Sequence, residues 1–228
     1  MLKICETQET FIVFKVSGCT FGQKIRIPLM KDKIIEKAND MFLNLGFKSV
    51  TMDDLATEMG ISKKTIYTHF QNKTELVKAT TDHLFCIISN GIDTIVDQKN
   101  GPIEELYAIK AFVMHHLKNE KTAPQYQLQK YYPKIYKTLK AKQFEVMQEC
   151  VIENLDRGIK KEVFRKNIDI QFISRIYFNG MIGIKDQEMF PMQKFPITQL
   201  MADYLEYHVR GIATEKGLTI LNNLLIKE

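Results

Sequence analysis

The chain has 228 residues, 45% of them hydrophobic, and a formal net charge of +5. That is enough apolar material for one large domain, or for a small and a larger one. The mild basic balance suits a nucleic-acid partner without demanding one. The four cysteines, Cys5, Cys19, Cys86 and Cys150, lie far apart with no CxxC spacing. This speaks against a disulfide framework or a zinc site and for a reducing cytoplasm. No apolar run approaches the roughly 20 residues that span a bilayer, so no membrane partner is expected.

Residues 1–29 differ in texture from the rest of the chain. TFIVFKV, residues 10–16, is β-branched and aromatic and predicts a short strand, closed by a turn at Ser17-Gly18. Glu6 and Glu9 precede the run and Lys15 interrupts it, unlike a signal peptide. Two readings stand for this segment. It is an arm that touches DNA through Lys24 and Arg26, or an extension without a role upstream of a natural start at Met30. The second is preferred, because a lone hairpin is marginal in water.

A helix is predicted over 31–45, with Ile34, Ile35, Ala38, Met41, Phe42 and Leu45 at helical spacing and Gly46 ending it in a left-handed conformation. Thr51 caps a second helix, and Asp54 three residues on extends a capping-box pattern. Leu55, Ala56 and Met59 face inward. Gly60 supplies a positive φ for a tight turn and Ile61 plugs the core behind it. Ser62 caps a third helix whose Ile66 and Phe70 face inward, four residues apart. Its outer face then carries Lys63, Lys64, Thr65, Tyr67, Thr68 and His69. Between residues 62 and 74 there are three lysines and no acid, whereas residues 30–78 hold eight lysines against seven acids. The charge is therefore focused on one face. Two short helices about a glycine turn, with a basic second helix, make a helix-turn-helix reader of the DNA major groove. Lysines and hydroxyls near the helix start suit phosphates and base edges. The Tyr67 phenol can reach a phosphate, and Lys73 opens the next helix, where backbone N–H groups also favour one.

The stretch from Ala56 to Val77, ATEMGISKKTIYTHFQNKTELV, closely resembles the signature of the TetR/AcrR family of bacterial transcriptional regulators. The likeness is carried by Thr51, Leu55, Ala56, Gly60, Ile61, Ser62, Thr65, Ile66, Tyr67, His69, Phe70, Lys73 and Leu76, and covers about residues 31–78. The resemblance implies an all-helical homodimer with a DNA-binding N-terminal domain and a divergent ligand domain. It implies base or phosphate contacts from Lys63, Thr65, Thr68 and His69, and phosphate contacts from Thr51, Tyr67 and Lys73. Lys64 departs from the glycine or small residue of many members and offers a further phosphate contact.

Further helices are predicted over 73–97, 102–118, 123–132 and 133–157, with Asn100-Gly101-Pro102 as a break, 119–122 as a loop, and Gly158 as a stop. Residues 167–185 are strongly apolar, with Gly180 and Gly183 removing bulk where another helix approaches. A last amphipathic helix is predicted over 197–212, and 217–225 form an apolar tail packed on the body. The fold class is thus all-α: residues 30–78 form a three-helix DNA-binding domain and 79–228 a helical regulatory and dimerisation bundle. The helices over 167–185 and 197–212 are the candidate dimer surface.

Phe112, His116, Tyr132, Tyr136, Phe144, Tyr177 and Met181 are candidates to line a pocket for an unidentified small-molecule effector, although aromatics at helical spacing are more often core. Lys130, Lys134, Lys137 and Lys140 form a basic stripe. It reads first as a solvated face, and otherwise as a site for an anionic effector or an additional DNA contact. His115-His116 make a weak metal site, and neither metal nor cofactor is expected. No GxSxG, P-loop, GxGxxG or HExxH is present, so no catalytic residues are assigned and no enzyme is expected. The reading is a homodimeric regulator of a pseudopalindromic double-stranded operator, most simply a repressor released by a ligand. The alternative is a helical DNA-binding scaffold controlled by a protein partner.

Overall fold

A computed structural model of the protein describes residues 29–117 and 124–226. The strand expected over 10–16, the arm of Lys24 and Arg26, and the loop expected over 119–122 lie outside the described residues. Ten helices follow in order among those described: α1 (Met30–Leu45), α2 (Met52–Met59), α3 (Lys63–His69), α4 (Lys73–Asp97), α5 (Pro102–Leu117), α6 (Pro124–Tyr131), α7 (Pro133–Lys160), α8 (Ile170–Gly183), α9 (Ile197–Ile212) and α10 (Glu215–Leu225). The described residues contain no sheet beyond an isolated antiparallel bridge between Phe164 and Ala213. None of their helices is long and apolar enough to cross a membrane.

Two apolar cores organise these helices. The first gathers Ile34, Ala38 and Phe42 of α1, Leu55 of α2, Ile66 of α3 with Phe70 just after it, and Leu76 and Val77 of α4. Leu128 of α6 also belongs to it, so the body reaches into the reader's core. The second joins Ile103 and Leu106 of α5, Val151 and Leu155 of α7, Leu205 and Val209 of α9 and Leu221 of α10 around Phe164. The tail expected over 217–225 is thus part of a helix whose buried Leu221 packs into the body. Behind the start of α5, Glu105 is fully buried. Its Oε1 accepts from Asn154 Nδ2 at 2.8 Å and from Arg157 at 2.5 Å, tying α5 to α7.

Three local expectations change. α7 does not stop at Gly158 but runs on to Lys160. Gly158 is there for closeness, since a Cβ on it would sit 2.0 Å from the Phe164 ring. Gly46 does take a positive φ, 87°, but with ψ at 152° it is not left-handed helical. The Gln127 side chain presses on it from α6. Gly180 does admit a neighbour, the Tyr204 ring of α9, while Gly183 has nothing within 4 Å of a built Cβ.

A candidate nucleic-acid interface with an apolar cavity beside it

The reader's helices are short, so their ends decide their placement. At the start of α2, Asp54 N–H donates to Thr51 Oγ1 at 3.1 Å, and Thr51 N–H donates to Asp54 Oδ2 at 2.8 Å, closing a capping box. The Thr51 hydroxyl also donates to that carboxylate at 2.8 Å. These bonds hold the Asp54 carboxyl below its ordinary range. Gly60, at φ 63° and ψ 30°, is left-handed, which turns the chain into α3. There Thr65 N–H donates to Ser62 Oγ at 3.1 Å, and the two hydroxyls lie 2.8 Å apart.

With Ile66 fully buried, Lys63, Lys64, Tyr67 and Thr68 are left exposed on one side of α3, while Thr65 and His69 are half-buried. Lys63 Nζ lies 2.8 Å from Asp53 and 5.9 Å from the Tyr67 ring centre. Its hydrogen bond to Asp53 raises its pKa. This pair is solvated at both ends, so its rupture by a phosphate costs little. The Thr68 hydroxyl donates to the Thr65 carbonyl at 2.6 Å, which orients it along the helix. Lys73 lies at the first position of α4, after Asn72, whose side chain accepts from Glu75 N–H at 3.0 Å. Its Nζ donates to the Lys48 carbonyl at 3.4 Å, and partial burial lowers its pKa. Thr51 thus caps α2, Tyr67 lies exposed within α3, and Lys73 opens α4 beside Asp54.

Lys48 carries no signal in the sequence, yet it joins this edge to the body. Its ammonium lies 5.6 Å from the Tyr131 ring centre of α6, and its N–H donates to Gln127 Oε1 at 3.4 Å. The adjacent Phe47 ring meets Tyr132 edge-on at 6.1 Å.

Behind the interface lies a cavity of about 220 Å³. Asn39, Phe42 and Leu43 of α1 and Phe47 line one part. Leu84, Phe85 and Ile88 of α4, Val113 of α5, Leu128 of α6, Val146 and Met147 of α7, and Met201 and Leu205 of α9 line the rest. Tyr177 and Met181, two of the seven expected lining residues, are among its walls. The other five are placed elsewhere. Tyr132 and Tyr136 pack on the reader's core. Phe112 lies against Gly91 and pairs with His116 at 4.4 Å. Phe144 meets Phe178 edge-on at 5.1 Å. The walls are chiefly aliphatic, with Phe42, Phe47, Phe85 and Tyr177 as the aromatics among them. Nothing in the helical pattern separates a wall from a core position. Cys150 also lines the cavity, and burial pushes its thiol up to about 11. Among the described residues no three His, Cys, Asp or Glu side chains gather as metal ligands.

Residues 34–80 match the family described as "Bacterial regulatory proteins, tetR family". Over 78 residues the chain is 33% identical to the "Biofilm operon icaADBC HTH-type negative transcriptional regulator IcaR" of Staphylococcus aureus (strain Newman), covering 34% of this chain and 42% of that one. The regulator of the same description from Staphylococcus epidermidis is 36% identical over 56 residues, 25% of this chain and 30% of that one. The chain thus spans less than half the length of these relatives. Among solved structures, a TetR-family transcriptional regulator from Agrobacterium tumefaciens superposes with a TM-score of 0.66 at 16% identity, over 81% of this chain and 97% of that one. SmeT, "the repressor of the Stenotrophomonas maltophilia multidrug efflux pump SmeDEF", gives 0.61 at 15% identity, over 82% and 92%. At such identities the likeness is one of fold.

Proposed function

We propose that the chain is a TetR-family regulator, a homodimeric, sequence-specific DNA-binding transcriptional repressor released by a small molecule, a reading supported by the match of residues 34–80 to that family. Residues 30–78 bind DNA, and 79–228 regulate and dimerise. The observation that carries this reading is the capped α2–α3 unit, which presents Lys63, Lys64, Tyr67 and Thr68 outward with Thr51 and Lys73 at its margins. Thr51, Tyr67 and Lys73 hold phosphates, and Lys63, Lys64, Thr65, Thr68 and His69 select the sequence.

Dimerisation is supported by α8 and α9. Phe172 and Ile176 of α8 and Tyr207 of α9 are 59%, 46% and 75% exposed, an apolar surface that a second copy would cover. The two helices are locked together first, since the Tyr204 hydroxyl donates to the Ile176 carbonyl at 3.0 Å over the space left by Gly180. A dimer sets two recognition helices about 34–36 Å apart, one turn of the duplex. The effector site is the apolar cavity. At about 220 Å³ it falls below the roughly 300–1,000 Å³ of drug-sized sites, so it suits a slender apolar molecule. α1 and α4 both form its walls, so an occupant that favours another spacing of the two readers lowers operator affinity by its differential binding energy.

Selecting bound sequences from a random DNA pool tests the reading. A pseudopalindrome is expected. Tyr67→Ala and Lys73→Ala should each weaken binding to every sequence, and Lys73→Ala, which removes a cation, should also flatten the salt slope by about 0.9. Wild-type binding by both variants would overturn the placement of the reader. Tyr207→Glu with Ile176→Glu should yield monomers in sedimentation and reduce operator affinity.

A further inference from the structure

We propose that Lys130, Lys134, Lys137 and Lys140 form a second DNA-contacting surface, which extends the reader's grip to phosphates flanking the operator. The inference rests on the DNA-binding reading above. Residues 124–144 contain five lysines and no acid. One of the five, Lys142, is used internally, 2.7 Å from Asp82 of α4. The other four are exposed, and among the described residues none of them pairs with a carboxylate. A surface that merely solvates a helix mixes both signs of charge, whereas this face carries one.

Its position supplies the partner. Lys48 and Lys130 share one aromatic platform, their ammonium groups lying 5.6 Å and 5.7 Å from the Tyr131 ring centre. Lys48 is in turn joined to Lys73 through its carbonyl, and Lys73 lies beside the Thr51–Asp54 cap. The margin assigned to phosphates therefore continues from Thr51 and Lys73 through Lys48 and Tyr131 to Lys130. Lys134 follows at the start of α7, whose cap residue Tyr132 offers no side-chain hydrogen bond, so the positive end of a 28-residue helix adds to the field. From Lys134 the stripe runs up α7, Lys140 lying about 9 Å further along the axis. Lys130 and Lys134 thus meet DNA first, and Lys137 and Lys140 follow only if the flank bends towards the body.

The experiment uses the full chain and two duplexes carrying the pool-selected operator. One is trimmed to the selected bases, and the other is extended by about one helical turn, ~10 bp, on each side. Wild type should bind the extended duplex about tenfold tighter at low salt, with a steeper salt slope. K130Q/K134Q should remove most of that gain, K137Q/K140Q less of it, and K130R/K134R should keep it, all binding the trimmed duplex as wild type does. Length-independent binding by wild type, or a full length effect in K130Q/K134Q, would overturn the second surface and leave the reader intact. If wild type selects no sequence from the pool, the DNA-binding reading fails and this surface with it.

Discussion

The reader and the body use the same element under opposite constraints. α2 and α3 have eight and seven residues, too few to be stable alone. Each is held by a cap and by side chains with almost no exposure, Leu55 and Ile66 at 0% and Phe70 at 1%. α4 and α7 have 25 and 28 residues, yet each has only four buried ones. Between residues 81 and 94, α4 has no fully buried side chain. Thr81, Leu84, Phe85, Ile88, Ser89 and Ile92 line the cavity there instead. A short helix depends on its core complement at every inward position. A long helix, secured at its ends, can bound a hollow.

The widest gap between the regions should appear on truncation. Phe70→Ala should cost about 3–5 kcal/mol, measured by urea unfolding. Ile88→Ala, which enlarges an existing space, should cost less than about 2 kcal/mol. Equal costs would break the comparison.

Acid should act on the body next. His208 of α9 is buried, its ring 4.5 Å from Tyr177, and burial pushes it from 6.5 down to about 4. Below its ordinary range the unfolded chain takes up a proton that the folded chain refuses until about pH 4. Stability is therefore whole above pH 6.5 and falls as the pH drops from 6.5 towards 4, by at most on the order of 3 kcal/mol. His208→Gln should flatten this slope, and an unchanged slope would reassign the acid sensitivity.

Glycines sharpen the contrast inside the body. Gly158→Ala drives a methyl into the Phe164 ring and should cost about 1–3 kcal/mol. Gly183→Ala meets open space and should gain a few tenths to about 1 kcal/mol from helix propensity. In the reader, Thr51→Ala removes the cap of α2 and should cost about 1 kcal/mol in thermal unfolding while weakening DNA binding.

The reader was legible because its determinants are local. Thr51 with Asp54, Gly60 and Ser62 act within a few residues of themselves, and caps and turns obey rules of spacing. The bounds of α4 and α9 were legible too, one starting beside a capping asparagine and both lying on amphipathic repeats. The cavity was not. Leu84 and Val146 read as core, while Phe112 and Phe144 read as pocket, and their actual neighbours come from other helices.

The sequence by itself therefore determined the helices, the reader's caps and turn, and the chemistry of its outer face, since each follows from interactions between residues close in the chain. Only the tertiary structure decided which apolar side chains bound a hollow and that Gly158 makes room for Phe164. It alone brought Tyr131 beneath Lys48. These depend on contacts between segments far apart in the chain, to which a helical period of 3.6 residues is blind.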